Sequence, residues 1–439
     1  MKLKINDVLL TAALIVLLSF QCSCDREQIF LWQKQIVPGI NYSYLKKFTR
    51  AGPLHIHILR VDLNNSKIKV KPTLAKGVMG RLERTSSIAI RNNAIAAVNG
   101  SFFEAKKKLH LPIGLMIIDG QVVNKSILDR TSIGITKDKN IVFGIPKVKG
   151  YVLNLDNKKS VPIWGLNRPR KNNEVIIYTD EYGETTKTNK YGKEITVNAD
   201  GSIEAISDGD AKIPRDGFVV SLHGWSKDFF AKLKKSDHIS LDYALTEKWK
   251  DVEQAVTGGP LLVKDGQAVH KESLLIEKIQ NALLSPNSRT AIGISKKNEL
   301  IFVVVDRKYQ ICTGVTYDDL AEIMKEAGAE NAVGLDGGHT STMYLNGRVV
   351  NTPLRGSEGL VSNALIVTYD GWKLAAKPKP RHIYRFVYKP PSEGLIEALL
   401  SDAELTPTTY IPKPEDYGMY GLYDIYHRVI KPVIPASLL

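Results

Sequence analysis

Residues 331–350 read NAVGLDGGHTSTMYLNGRVV: a short apolar strand, a glycine turn after Asp336, a second strand and a bend at Asn346-Gly347. Asn-Gly between two apolar runs predicts a tight hairpin, because both residues tolerate the positive φ that matches strand twist. Working outward, SRTAIGISKKNELIFVVVDR (288–307) predicts another hairpin, whose second strand, 300–305, is apolar throughout and so buried on both faces. Thr316-Tyr317-Asp318-Asp319 can cap a helix over 320–327 that stops at Gly328, with Leu320, Ile323, Met324 and Ala327 on one face. AVTGGPLLVKDGQAV (255–269) is a further strand-turn-strand bent at Asp265-Gly266.

The N-terminal half follows the same grammar. LHIHILRVDL (54–63) and KIKVKPTLA (67–75) alternate with period two, a helix is expected over 84–92, and an apolar strand over 94–98. His55 and His57 alternate within the first of these strands, which gives them a structural reading. GLMIIDGQVV (114–123) bends at Asp119-Gly120, and SIGITKDKNIVFG (132–144) repeats the design. GLMIIDGQVV and PLLVKDGQAV resemble each other, which fits common hairpin grammar better than duplication. The fold class that follows is α/β in the broad sense, an α+β arrangement of mixed, largely antiparallel sheets with few helices. Expected boundaries are a linker at 24–50, one large domain at 51–370 with a loop-rich middle at 150–255, and a proline-rich extension at 371–439.

Composition narrows the class of protein. The chain has 439 residues, 43% apolar and 24% charged, which excludes wholesale disorder and a polytopic membrane protein. The net charge of +14 would suit an anionic partner, but arginine-rich tracts and nucleic-acid motifs are lacking, so no nucleic-acid partner is expected. Lys2 and Lys4 precede an apolar run over 8–18 that is shorter than the roughly 20 residues of a membrane-spanning helix. With Ser23-Cys24 after it, this segment (1–23) resembles a lipoprotein signal with Cys24 as the lipidated residue. The expected location is therefore the cell envelope, with a lipid anchor in the membrane; simple secretion is the alternative. Cys312 follows an apolar strand and reads as a core residue, and no Cys/His cluster has zinc-ligand spacing.

Several polar or glycine-rich stretches end apolar strands: Asn99-Gly100-Ser101-Phe102-Phe103, Thr257-Gly258-Gly259-Pro260, Ser288-Arg289-Thr290, Asp306-Arg307, Asp336-Gly337-Gly338-His339-Thr340-Ser341, and Asn363. Each alone is a common turn. In this order, together with AAVNGSFF, SRTAIGI, TGVTYDDLAEIMKEAG, SNALIV, NRPR and IPRDGFVVSLHG, they resemble the phosphodiester glycosidase family over about residues 90–370. Two departures stand out: Asp306-Arg307 where many members have Asp-Gly-Arg, and His339 where glycine or serine is common.

The resemblance implies hydrolysis of a sugar-1-phosphodiester of the N-acetylglucosamine type, with a phosphorylated carbohydrate as partner. Such a reaction passes through an oxocarbenium-like state that a carboxylate stabilises or traps. The departing phosphate monoester, with a second pKa near 6, needs little proton donation. Asp336 is the leading carboxylate and Asp306 the second, as acid, orienter or metal ligand. Arg289 suits bidentate phosphate binding, or else an ion pair with Asp306 or Asp336. Asn99 and Thr257 suit hydroxyl and acetamido groups, while the N–H groups of Gly258-Gly259 and Gly337-Gly338 suit an anion nest. His339, Ser341 and Asn363 complete the substrate-binding set, and either Phe102 or Phe103 suits the floor of a sugar site. No cofactor is required, although Asp306 and Asp336 leave room for a shared divalent metal. The rivals are a phosphodiesterase on the same fold and a non-catalytic glycan-binding or exopolysaccharide-associated envelope protein.

Overall fold

Strand 300–305 organises the core. In the computed structural model it is Glu299–Val305, and its side chains divide between two clusters. Leu300, Phe302 and Val304 join one cluster, while Ile301, Val303 and Val305 join another with helix Tyr317–Glu326. The period-two geometry of a strand sends successive side chains to opposite faces, so a wholly apolar run needs cover on both. The structure describes residues 29–373 apart from 50–51, 126–127, 129, 227–232, 280–283 and 309–311. The expected signal segment, Cys24 and the extension beyond residue 373 lie outside the described residues.

The strand belongs to an eight-stranded sheet. Its order is Ile29–Val37, Ile40–Thr49, Gly52–Asp62, Glu299–Val305, Arg289–Ser295, Ala329–Gly334, Leu261–Lys264 and Gln267–Ala268. One face carries the helix Tyr317–Glu326, which begins with a full capping box: the Thr316 side chain accepts from Asp319 N, and the Asp319 side chain accepts from Thr316 N. The other face packs on two five-stranded sheets. The first holds Met343–Leu345, Ala96–Asn99, Asn363–Tyr369 and Ile68–Leu74; the second holds Ser132–Thr136, Val252–Thr257 and Met116–Ile118.

The fold is therefore α+β, with mostly antiparallel sheets and three α-helices among the described residues. The parallel pair Gly165–Leu166 with Val175–Tyr178 makes it mixed. Asp119 and Gly120, at φ 49° and 79°, and Asn346 and Gly347, at φ 46° and 92°, make the bends expected of them.

Two boundaries differ from expectation. Residues 29–49, read as linker, form two antiparallel strands that continue the eight-stranded sheet. Their polar Gln, Lys and Ser positions mask the alternation, yet Ile40 and Tyr42 are buried against the core. The middle region is also more than loops: Val148–Asn154, Val175–Tyr178, Lys193–Val197, Phe218–Leu222 and Ile239–Leu245 form two small sheets around a shared apolar cluster.

Phe302→Ala, which removes a fully buried ring from the central strand, is expected to cost about 3–5 kcal/mol. Urea denaturation should show a lower midpoint with an unchanged m-value.

Candidate active site

Five predicted stretches converge where the sheets meet, and Asn99 is the joint. Its side chain is fully buried. Nδ2 donates to Asp336 O at 2.6 Å, while Oδ1 accepts from Thr290 Oγ1 at 2.8 Å and from Thr342 N at 3.1 Å. Asn99 ends a strand of a five-stranded sheet, whereas Thr290 and the Ala329–Gly334 strand that leads to Asp336 belong to the eight-stranded sheet. One carboxamide thus fixes the position of the candidate carboxylate. Asn363 does similar work beside it, accepting from Ser101 N at 3.0 Å and donating to Ser101 Oγ at 2.7 Å.

Asp336 itself is held by its own turn. Oδ1 accepts from Gly337 N at 2.9 Å, and Oδ2 from Thr340 Oγ1 at 2.9 Å. The residue keeps some exposure, yet its carboxyl is walled in by protein. Burial raises its pKa to about 6, and the two hydrogen bonds offset only part of that effect. A carboxyl poised near neutrality by its surroundings is a candidate for chemistry.

Around it stand groups that sequence reading passed over. Tyr317, read as part of a helix cap, is buried, and Arg289 lies over its ring at 4.1 Å from the centroid. Burial raises the Tyr317 pKa, and its hydroxyl is in electrostatic range of Arg289, Asp336, Arg130 and Glu277. Arg130 lies over the Phe102 ring at 5.4 Å, and its buried Nε has no hydrogen-bond partner among the described residues. Burial lowers the pKa of both arginines. Glu277 receives Thr131 Oγ1 at 2.7 Å and Leu261 N at 3.0 Å, and so anchors the Gly258–Pro260 turn.

A signal for Arg130 was present in the sequence. Arg130-Thr131-Ser132-Ile133-Gly134-Ile135 repeats the pattern of Arg289-Thr290-Ala291-Ile292-Gly293-Ile294. Each copy opens a strand with an arginine over an aromatic ring.

Several predicted residues have other employment. Asp306 is not an open second carboxylate: it is 1% exposed and accepts from Asn351 Nδ2 at 3.1 Å and Thr352 N at 3.0 Å, with His57 Nε2 at 3.2 Å. His57 in turn meets the Tyr42 hydroxyl at 2.7 Å, so Asp306 staples the N-terminal strands to the 351–352 loop. Asp306 and Asp336 thus serve separate donor sets. Among the described residues, no group of three or more His, Cys, Asp and Glu side chains is placed to hold a metal.

The expected nests are likewise filled. Gly258 N donates to Thr131 O and Gly259 N to Gly334 O, both at 2.9 Å. Gly337 N serves Asp336, and Gly338 N donates to Ser288 O at 2.8 Å. These glycines serve close approach instead: a Cβ on Gly258 would lie 2.1 Å from Gly334 O, and one on Gly259 2.2 Å from Glu277 Oε2. Thr257 is buried, bonding Ser132 Oγ at 2.6 Å and Leu115 O at 3.1 Å. Arg289 donates to Ser285 O at 2.8 Å and Val315 O at 3.3 Å.

His339 is half-buried with Nδ1 unpartnered among the described residues; burial and then Arg355 lower its pKa, which favours neutral imidazole at pH 7. Ser341 is buried with an Oγ unpartnered among the described residues. Phe102 and Phe103 are both half-buried, and it is Phe102 that faces a site cation.

Comparison with known proteins agrees with the resemblance read from the sequence. The family model for phosphodiester glycosidases matches residues 191–368. That stretch starts well after residue 90, although Asn99 and Arg130 join the same site. An uncharacterised protein of Rickettsia conorii is 26% identical over 249 residues, 51% of this chain and 79% of that protein. Mouse N-acetylglucosamine-1-phosphodiester alpha-N-acetylglucosaminidase is 26% identical over 153 residues, which cover 31% of this chain and 29% of the mouse protein. The crystal structure of a hypothetical protein from Synechocystis superposes with a TM-score of 0.66 at 20% identity, covering 77% of this chain and 64% of that one, and shares the fold.

The two aspartates should behave oppositely. Asp306→Ala is expected to cost about 3 kcal/mol, since it strands buried donors. A carboxyl whose folded pKa is raised from 3.8 to about 6 favours folding only while protonated, and that contribution is lost as pH rises through 6. Asp336→Asn should therefore raise the Tm at pH 8, by up to roughly 3 kcal/mol in stability, and the difference should vanish below about pH 4. Calorimetry across pH checks both.

Proposed function

We propose that this chain, which carries the sequence pattern of phosphodiester glycosidases, is an exported glycosidase that hydrolyses the sugar–phosphate bond of a sugar-1-phosphodiester of the N-acetylglucosamine type. The observation that supports this reading best is the set of charges around the Tyr317 hydroxyl: one carboxyl of raised pKa and two arginines. An anionic phosphodiester set against Arg130 and Arg289 would place its anomeric carbon toward Asp336.

In that pose Asp336 acts as carboxylate. It stabilises or traps positive charge at C1 as the C1–O bond breaks and the bond's electrons pass to the phosphate oxygen. The departing monoester takes up negative charge beside the two guanidiniums, where low dielectric strengthens the interaction. Water then adds to C1, displacing the Asp336 carboxylate where it has trapped the sugar, and its proton passes to the departed phosphate monoester, whose second pKa lies near 6. Tyr317 stays protonated at neutral pH because burial raises its pKa, so its hydroxyl donates to the same phosphate. Asn99 and Thr340 hold Asp336 in place without touching substrate, and Asn363 fixes the neighbouring Ser101. No step draws on a cofactor.

Incubating the purified protein with a panel of sugar-1-phosphodiesters in ¹⁸O-labelled water tests the assignment. The label should appear in the free sugar; its appearance in phosphate would indicate phosphodiesterase chemistry instead. Asp336→Asn should lower kcat by at least about a hundredfold, and kcat/KM of the parent should fall below pH about 6 as Asp336 protonates.

The location proposed is the cell envelope, through lipidation of Cys24. Palmitate labelling in a bacterial host should mark the full chain but not Cys24→Ala; equal labelling of both would remove the anchor from the account.

A further inference from the structure

We propose that a cavity of about 860 Å³, remote in its lining from the Tyr317 cluster, is a second binding site that takes an anionic oligosaccharide, a sugar chain bearing carboxylate or phosphate. Its walls come from the turn around Gly80, the loop carrying Lys108 and the 182–189 segment of the middle region. The volume lies within the range of small-molecule sites.

Charge points to the ligand class. Arg81, Lys108 and Lys187 line the cavity and are exposed, and none forms an ion pair among the described residues. Glu184 is the one acidic side chain among the lining residues. The floor is built and held. Arg170, 2% exposed, donates to Glu194 Oε1 and Ser221 Oγ at 2.8 Å and to Asn189 Oδ1 at 3.1 Å, so it supports the site and leaves the ligand to the rim cations. Bonds across the boundary keep the walls apart and in place: Met79 N donates to Glu181 O at 2.6 Å, and His110 N to Gly80 O at 3.3 Å. A cavity preformed in this way avoids ordering costs on binding.

The remaining lining selects sugar over nucleic acid. Tyr178 and Tyr182 show 0% and 7% of their surface, so no aromatic face is free to stack a base. Apolar Leu109 and Val78 and the part-exposed Thr185 and Thr188 line the same cavity, a mixture of apolar and polar surface that suits a pyranose ring with its apolar face and hydroxyl edge. Phe102 of the candidate active site and Lys108 of this rim lie on the same connection, residues 100–115, between strands Ala96–Asn99 and Met116–Ile118. Binding here does not require turnover, so its failure is separable from failure of the glycosidase reading.

Calorimetric titration of the full chain tests the site with three probes: an oligogalacturonate, a phosphorylated maltooligosaccharide and a neutral chitooligosaccharide of equal length. At least one acidic probe should bind, and the arm that binds more tightly identifies the anion. The triple variant Arg81→Ala, Lys108→Ala, Lys187→Asn should weaken it about tenfold or more. Asparagine is chosen because Lys187 has φ 53°. Lys108→Glu alone should weaken it in the same direction should the triple variant fold poorly. The control Lys137→Ala, Lys159→Ala, Lys235→Ala removes equal charge elsewhere and should change affinity less than twofold. Equal binding of the neutral probe, no binding of either acidic probe, or equal loss in the control would overturn the proposal.

Discussion

One buried carboxamide holds the candidate site together. Asn99 bonds at once to the main chain of Asp336, the hydroxyl of Thr290 and the N–H of Thr342, and those groups arrive from two different sheets. Buried polar groups of this kind are costly when unpaired and specific when satisfied. Because all three bonds need the sheets in one relative position, the depth of the Asp336 carboxyl follows from the packing of the whole domain. The apolar strand Glu299–Val305 supplies that packing, with a helix on one face and two sheets on the other.

The fold also sets the electrostatics. Asp336 has two hydrogen bonds and a carboxyl walled in by protein, whereas Asp306 gathers an asparagine, a backbone N–H and a histidine. The same residue type thus stands in two settings: one stapling the structure, the other walled in with a pKa raised to about 6. Two arginines over aromatic rings complete the contrast. Burial without full neutralisation is unfavourable for folding, and on the proposed function it is what keeps the Asp336 carboxyl near neutrality.

Much of this was legible in the sequence. Asn-Gly and Asp-Gly bends, the doubly buried strand and the capped helix all follow local rules that tertiary structure did not override. The strand-end stretches did converge, and Asp336 lies among them. What escaped was the direction of polar groups. Nothing local shows that the Gly258 and Gly259 N–H groups are already taken by carbonyls, or that Thr257 faces Ser132. Arg130 was visible only through its likeness to the Arg289 segment, and Tyr317 was hidden inside a helix-cap reading. The N-terminal strands were missed because solvent-facing lysines and glutamines dilute their alternation.

The central claim concerns one ionisable group, so the most direct measurement watches it titrate. With aspartate carboxyl carbons labelled, NMR across pH should show a single resonance with a midpoint near 6 that is absent from Asp336→Asn. If every aspartate resonance assigned in the parent titrates in the ordinary range, below about pH 5, the carboxyl is not held in the poised state from which the glycosidase reading starts, and the account is contradicted.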